Sequence, residues 1–482
     1  MASSSSLKTN IILNYINTIT GIIFPVITFP YASRILLPEG IGVVNFQLSI
    51  INYIVLFTSL GIPLYAVKEI AKYRDNISLR NQATIEITIL SLLLCIVGYV
   101  AVYMIGQYVP KVNSYLSLFY ILSFTILFTT LGVNWFYQAI EDFTFITVRA
   151  VIIRTIAAAC LFLFVKDQSD LLIYAAITVG STVGNNLINF CHLRKYIDIS
   201  YIKFRRLNIF KHLKPALHVF VLNLIISIYV QLNTIMLGFM DGDYAVGIYT
   251  AGNKIPHIIL SLVTSMGVVL LPRCSHLVAC GKFDEFKSVC DKAIRLVLMI
   301  ALPITVGLVL LAGPVIDIFC GSAFRDAVSV IYCTAPIIIF IGLTNVIGIQ
   351  ILYPLGKENI VIYSTLGGAI VNIVLNLILI PRMSALGAGI STFAAELVVL
   401  IIQIIFGRKY TTINVLSKQN AKYLIASIFM TIVLIPIIFI VQNNWMQVIL
   451  SMVTGAIIYG LYLIIIKDDI ILTLLKYFRI TR

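Results

Sequence analysis

The sequence predicts an all-α, polytopic membrane protein with fourteen transmembrane helices, built as two pseudo-symmetric six-helix lobes followed by a C-terminal helix pair. Three observations lead to this fold class. Hydrophobic residues make up 60% of the 482 residues and charged residues only 11%, whereas soluble proteins carry about 25% charged residues. The apolar residues run in blocks of roughly 20, the length of a membrane-spanning helix. Lysine and arginine collect in alternate gaps between these blocks.

Apolar runs, interrupted by Gly, Pro and charged residues, define the fourteen predicted spans. They cover residues 10–33, 41–66, 83–106, 114–139, 148–166, 170–192, 215–240, 245–272, 294–319, 327–353, 358–380, 385–407, 421–442 and 445–466. The first six and the next six have similar lengths and loops. The sequence therefore predicts an N-terminal lobe over 1–206, a C-terminal lobe over 207–412 and a last helix pair with its tail over 413–482.

The distribution of basic residues predicts the orientation of these spans. With the N-terminus in the cytoplasm, the inward loops and tails hold 27 of the 34 lysines and arginines, and the outward loops hold five. One missed helix would invert every later loop and destroy this alternation. Both termini are therefore predicted to be cytoplasmic. The net charge of +14 follows from these loops, so no nucleic-acid partner is expected.

Two segments resemble each other inside the chain. Gly42–Gly61 reads GVVNFQLSIINYIVLFTSLG, and Gly247–Gly267 reads GIYTAGNKIPHIILSLVTSMG. Each is the second span of its six-helix half, as expected of a duplicated unit. Parallel repeats with a binding site between the halves are a recurrent plan of transporters.

Polar side chains form stripes at helical spacing on spans one, two, seven and eight. Polar groups that faced lipid would lack hydrogen-bond partners, so the stripes are predicted to line a wet central cavity. The alternative is that they only hold helices together. The predicted cavity residues are Asn14, Asn17, Asn45, Asn52, Asn223, Gln231, Lys254 and His257.

Two charged residues lie deep within spans. Lys254 is about nine residues into span eight, and Glu396 is near the middle of span twelve. A charge at the bilayer centre costs about 2.5–3.5 kcal/mol on the translocon scale. The two are predicted either to pair with each other or, for Lys254, to bind an anion in the cavity. Arg154 and Glu86 lie near the inner interface and are expected to reach water there.

Two prolines, Pro25 and Pro30, interrupt span one. Each removes a backbone hydrogen bond, so this span is predicted to hinge.

No catalytic constellation or phosphate-binding loop of the GxxxxGK[ST] type is present, and the chain is not expected to be an enzyme. The Cys274, His276 and Cys280 group lacks the second ligand pair of a metal site. No metal and no cofactor are expected.

The first inter-span loop reads FPYASRILLPEGIGVVNF from Phe29 to Phe46, and LGIPLYAVKEIAKYRDN follows from Leu60 to Asn76. These runs resemble the N-terminal signature of bacterial polysaccharide repeat-unit flippases, the O-antigen and capsule translocases of the multidrug/oligosaccharidyl-lipid/polysaccharide exporter superfamily. One departure is Leu36–Leu37, where the family more commonly has Leu-Gly before Pro-Glu-Gly.

The resemblance implies a function. A flippase of this kind moves undecaprenyl-pyrophosphate-linked oligosaccharide across the bacterial inner membrane by alternating access, for O-antigen, capsule or exopolysaccharide synthesis. Spans one, two, seven and eight would line the cavity, and Arg34 and Lys254 would meet the pyrophosphate. The lipid tail would lie in the bilayer or along spans thirteen and fourteen. A polysaccharide polymerase and a chain-length regulator are possible partners besides the substrate and the bilayer.

Three alternatives stay open at this point. A cation-coupled multidrug exporter of the same superfamily would need a carboxylate in a cavity helix, and spans one, two, seven and eight contain none in their embedded parts. A membrane polysaccharide polymerase would be expected to have a large outward loop. A purely structural membrane protein would give no reason for matched polar stripes.

Overall fold

The computed structural model describes residues 7–197, 207–411, 413, 415 and 417–472. Within its helices the side chains of 7–12, 14, 15, 221–223, 225–230, 265, 266, 268, 269 and 418 are outside the description. Every regular element in the described part of the chain is helical. The predicted all-α class is therefore confirmed.

The chain divides into two compact units, residues 1–247 and 248–482. The helices described in the first unit are α1 (Leu7–Ser59), α2 (Ile62–Lys72), α3 (Ile77–Tyr108), α4 (Pro110–Asn113), α5 (Leu116–Leu131), α6 (Asn134–Ala139), α7 (Phe143–Phe164), α8 (Leu171–Leu193) and α9 (Leu213–Met240). Helix α10 (Asp243–Ala279) begins in this unit and continues into the second. The predicted lobe limits of 1–206, 207–412 and 413–482 stay a prediction.

The first predicted span and most of the second form one long element, α1. Its backbone leaves the helical conformation at Leu37, which has φ 58° and ψ 177° and precedes Pro38. Pro25 and Pro30 lie within α1, and among the described residues of this helix only Leu37 has non-helical backbone angles. The hinge at these two prolines stays a prediction.

Helix α1 is the central element of the first unit, with α7, α5, α9 and α3 packed around it. At the end where α2 and α6 meet, a core cluster includes Ile70, Ile87, Phe136 and Tyr137, all fully buried. The Tyr137 hydroxyl donates to the backbone oxygen of Asn189 at 2.7 Å. This core fixes the ends of α3, α6 and α8 relative to one another.

Side-chain caps set several helix starts. The Asn76 side chain accepts a hydrogen bond from the backbone N–H of Leu79 at the start of α3. The Asp142 side chain accepts one from Phe145 at the start of α7. Each cap satisfies a backbone donor that the first turn leaves free.

The second unit contains the rest of α10 and, in its described part, α11 (Phe283–Leu310), α12 (Ala312–Phe319), α13 (Ala327–Thr334), α14 (Ile337–Thr344), a π-helix (Asn345–Leu352), α15 (Glu358–Gly407), α16 (Lys418–Ile440) and α17 (Asn444–Ile465). Helix α15 resembles α1 in joining two predicted spans across one non-helical residue, Ser384. Helices α16 and α17 pack on each other and on α11, where the Tyr459 hydroxyl donates to the Met299 oxygen at 2.8 Å. They form the predicted last helix pair.

Ten helices in the described residues are long and apolar enough to cross a membrane. Two of them, 16–72 and 358–407, each contain two of the predicted spans. The chain is thus a polytopic membrane protein, and the count of fourteen spans stays a prediction.

Candidate functional site

The polar stripe of α1 contacts a cation from α7. Arg154 donates from Nη1 to the Asn17 backbone oxygen at 3.0 Å, to Asn17 Oδ1 at 3.1 Å and to Thr20 Oγ1 at 2.8 Å. Gly21 lies beside the guanidinium, where a Cβ would be in ordinary van der Waals contact with Nη2 at 3.5 Å. Arg154 thus faces the predicted stripe of α1.

Arg154 carries its charge within a membrane-spanning helix without an ion pair to any described residue. Its partners among the described residues are oxygens of an amide, a backbone carbonyl and a hydroxyl, and none of these oxygens carries a negative charge. Ionisable groups at this depth are costly and mark functional sites by default. This guanidinium can accept an anionic group beside the stripe.

The stripes of α1 and α9 also meet. Ser49 Oγ donates to Gln231 Oε1 at 3.1 Å. Asn45 Nδ2 instead donates to the Ile41 oxygen of its own helix at 2.7 Å. Asn52 is half-buried, and it has no hydrogen bond to a described residue.

For three other predicted site residues, the described part of the structure does not assign a role. The side chains of Asn14 and Asn223 lie outside the described residues. Arg34 is exposed, one turn before the break at Leu37. Their roles stay predictions.

On α10, Lys254 is half-buried and His257 is exposed. The nearby hydroxyls of Ser261 and Thr264 donate to carbonyl oxygens of their own helix at 2.6 and 3.0 Å. Membrane helices commonly satisfy hydroxyl groups in this way, so these two do not need a cavity.

Glu396 is 3% exposed on α15. One turn before it, Thr392 contacts the Tyr249 hydroxyl of α10 at 3.1 Å, which holds the two helices together near Lys254. The pairing of Lys254 with Glu396 stays a prediction.

The expectation that Glu86 reaches water at the interface is wrong. Its side chain is fully buried, and its carboxylate accepts hydrogen bonds from Lys211 at 2.6 Å, His212 at 3.0 Å and Gln82 at 2.9 Å. It also accepts one from the Asn208 backbone N–H at 2.9 Å. Glu86 therefore ties α3 to the segment that leads into α9.

Sequence reasoning missed Arg154 and Glu86 because their partners lie far along the chain. Arg154 contacts a residue 137 positions away and Glu86 one 126 positions away. The signal available was a charged residue inside an apolar run, which predicts a partner without identifying it.

Comparison with known proteins identifies the family. A family model described as "Polysaccharide biosynthesis protein" matches residues 7–278, more than half of the chain. The chain belongs to the polysaccharide biosynthesis protein family. A second family model, MatE, matches residues 219–378. The resemblance seen in the first loops, to polysaccharide flippases of the multidrug/oligosaccharidyl-lipid/polysaccharide exporter superfamily, is thereby confirmed.

Relatives of this polysaccharide biosynthesis protein carry transport names. The "Putative O-antigen transporter" of Escherichia coli (strain K12) is 23% identical over 403 residues, which cover 84% of this chain and 97% of the relative. The "Lipid II flippase MurJ" of Bacillus subtilis (strain 168) is 26% identical over 184 residues, covering 37% of this chain and 34% of the relative.

Solved structures share the fold of this family member. "Lipid II flippase MurJ, inward closed conformation" aligns with a TM-score of 0.69 at 16% identity, covering 96% of this chain and 99% of the other. An inward-facing multidrug resistance MATE family transporter aligns with a TM-score of 0.61 at 15% identity, covering 83% and 97%. Since these relatives are named for transport, they support the expectation that the chain is not an enzyme.

Proposed function

We propose that this protein is a flippase for a lipid-linked oligosaccharide, and that the lipid is undecaprenyl pyrophosphate. The observation that carries the proposal is Arg154, a cation held within a membrane-spanning helix by neutral oxygens of Asn17 and Thr20. A pyrophosphate supplies negative charge, which these described oxygens do not carry. The O-antigen and lipid II names of the relatives support the same substrate class.

The amides beside this cation suit a saccharide. Asn17 and Asn52 lie on the stripes of α1. Gln231 of α9 accepts a hydrogen bond from Ser49 of α1. Amide and hydroxyl groups both donate and accept hydrogen bonds, as sugar hydroxyl groups do. Sugar hydroxyls can therefore exchange water for these side chains when the head group enters.

The direction of transport has an electrical component. Negative charge that moves outward across an inside-negative membrane releases about 2.3 kcal/mol per charge per 100 mV. The potential alone can thus favour transfer of a pyrophosphate head group. We place the protein in the bacterial inner membrane with both termini in the cytoplasm, supplying repeat units to a polymerase and a chain-length regulator.

The alternative function is a cation-coupled multidrug exporter, and the MatE match over residues 219–378 is the observation in its favour. Such an exporter works against the potential and needs a carboxylate in its cavity. Helix α9 has no Asp or Glu, α10 has only Asp243 in its first turn, and α1 has only Glu39 beside its break. The flippase is therefore the better supported function.

The test is flipping in proteoliposomes of a fluorescent oligosaccharide linked to undecaprenyl pyrophosphate, read as protection from an external quencher. Arg154→Gln should slow flipping about tenfold at low substrate concentration, and Arg154→Lys should retain part of the rate. The matched control is Arg325→Gln, because Arg325 is 72% exposed and pairs with Asp317. Export of lipophilic cations driven by a proton or sodium gradient, without lipid flipping, would overturn the proposal.

A further inference from the structure

A cavity of about 510 Å³ lies within the first unit, between α1, α3 and α9. Its walls include Tyr53 and Phe57 from α1, Val97 from α3, and Ile235 and Phe239 from α9. Binding sites for small molecules commonly have volumes of about 300–1,000 Å³. The cavity is therefore large enough for a ligand, and no residue of the polar stripes discussed above lines it.

The lining selects an apolar ligand. Apart from Tyr53 and Thr58 the lining side chains are hydrocarbon or aromatic, and Thr58 Oγ1 donates to the Ile54 oxygen of its own helix at 2.9 Å. A water molecule needs two to four polar partners to occupy a cavity. Water is thus a poor occupant, and a hydrocarbon chain is a good one.

The cavity opens where the helices meet the bilayer. Phe57, Val97 and Phe239 line it and are 51%, 65% and 52% exposed, respectively. Because α1 and α3 are membrane-spanning by length and composition, their exposed apolar surface faces acyl chains. A lipid chain can enter sideways without crossing water.

The cavity adjoins the polar contact between α1 and α9. Tyr53 follows Ser49 by four residues, and Ile235 follows Gln231 by four. Residues four apart share a helix face. The Ser49–Gln231 hydrogen bond therefore lies beside the apolar space, which suits a ligand with a polar head and an apolar tail.

A cation lies near one end of the cavity. Val109 lines that end, and two residues later Lys111 Nζ pairs with Asp243 at 3.1 Å and lies 5.0 Å from the Phe46 ring centroid. The Phe46 ring packs edge-on against Phe239 at 5.1 Å. The predicted topology puts this end on the outward side, at the level of lipid phosphates.

We infer that the cavity binds the polyprenyl chain of the lipid-linked substrate, with the phosphate end toward Lys111 once the pyrophosphate has left Arg154 for the outward side. This inference rests on the proposed function and moves the expected place of the lipid tail from spans thirteen and fourteen to the α1–α3–α9 cavity. A polyprenyl chain is favoured over a phospholipid tail because the cavity lies beside the Ser49–Gln231 contact, on the polar stripes that are proposed to hold the head group.

The experiment uses the full-length protein in nanodiscs with a polyprenyl phosphate that carries a diazirine on its chain. Val97→Trp fills the cavity, and Val100→Trp on the same helix is the matched control, because Val100 is 59% exposed and does not line the cavity. Photolabelling should map to α1, α3 and α9 in the parent protein. It should fall at least fivefold in Val97→Trp and stay unchanged in Val100→Trp.

A competition experiment distinguishes a polyprenyl chain from a phospholipid acyl chain as the ligand of the cavity. Unlabelled polyprenyl phosphate should displace the probe at a concentration at which phosphatidylglycerol does not. Equal displacement by phosphatidylglycerol, or equal labelling of the two tryptophan variants, would overturn the inference.

The flipping assay separates this inference from the proposed function. If the parent protein flips the substrate and Val97→Trp flips it with unchanged KM and rate, the cavity inference fails and the flippase stands. If photolabelling behaves as expected but no flipping occurs, the cavity inference stands as a lipid site and the flippase fails.

Discussion

Gly42 and Gly247 lie in backbone contact in the first unit. A Cβ atom at Gly42 would lie 1.7 Å from the Asp243 carbonyl oxygen and 3.0 Å from the Gly247 nitrogen, and one at Gly247 would lie 1.9 Å from the Pro38 carbonyl oxygen. Real Cβ atoms essentially never approach closer than 3.0 Å. Only glycine therefore permits this crossing of α1 and α10, and these are the first residues of the two repeated segments.

Alanine at Gly42 should separate the two helices. The contact lies on the predicted outward side, so its loss should expose Val246, which is fully buried beside Gly247. In a Val246→Cys background with the native cysteines blocked, Gly42→Ala should raise labelling by an impermeant external maleimide several-fold.

Gly180→Ala is the control for that labelling, because nothing lies within 4 Å of a Cβ at Gly180. It should leave the labelling of Val246→Cys at the parental level. Equal labelling in the Gly42→Ala and Gly180→Ala backgrounds would show that the crossing does not close this side of the protein.

A membrane helix makes its backbone hydrogen bonds within itself. The composition and length of the apolar runs are therefore sufficient to predict the all-helical class from the sequence. The repeat identified Gly42 and Gly247 as equivalent positions. It did not predict that they touch, because contact depends on how helices cross. The long α1 also differs from two separate spans, since the break at Leu37 is a single residue.

The candidate site was predicted only in part. Helical periodicity placed Gln231 on a stripe, and the structure brings it into contact with Ser49 of α1. Arg154 and Glu86 were assigned to the interface, because hydropathy gives the depth of a charge but not its partner. Their partners lie on other helices, so only tertiary structure identifies them.

The pH dependence of stability should depend on His212, which lies outside the spans and is 1% exposed. Its Nδ1 is 2.6 Å from the Tyr65 hydroxyl, and its Nε2 is 3.0 Å from Glu86 Oε2. Burial lowers the pKa of His212 below 6.5, and this effect exceeds the opposing influence of Glu86. The unfolded chain therefore binds a proton at higher pH than the folded protein does.

Stability from His212 should be fully present above pH ~6.5 and should decline as pH falls, by up to about 1.4 kcal/mol per pH unit until the folded pKa is passed. Thermal unfolding in detergent between pH 8 and pH 5 measures this decline. In the His212→Gln variant the unfolding temperature should change less between pH 8 and pH 5 than in the parent protein. The variant's unfolding temperature at pH 8 should be lower than the parent's. A profile with the parental slope would contradict the assignment to His212.

At Leu37 the backbone should favour glycine over alanine. Its φ of 58° with ψ of 177° is essentially a glycine-only conformation, which costs other residues about 1–3 kcal/mol. The resemblance of the first inter-span loop to polysaccharide flippases implies Leu-Gly before Pro-Glu-Gly, where this chain has Leu36–Leu37. The break in α1 thus explains why glycine suits this turn and implies that leucine is strained there.

Both Leu37→Gly and Leu37→Ala remove the leucine contacts. The difference in stability between these two variants therefore measures the contribution of the backbone conformation alone. Leu37→Gly should be more stable than Leu37→Ala by about 1 kcal/mol, since only alanine keeps the strain. At the neighbouring Leu36, which is buried in helical backbone, the order should reverse, because glycine is about 1 kcal/mol worse than alanine inside a helix. The unfolding midpoints of the four variants measure both differences. If the alanine variant unfolded at the higher temperature at both positions, the backbone at Leu37 would be unstrained. Leucine in place of glycine at residue 37 would then cost no backbone strain energy.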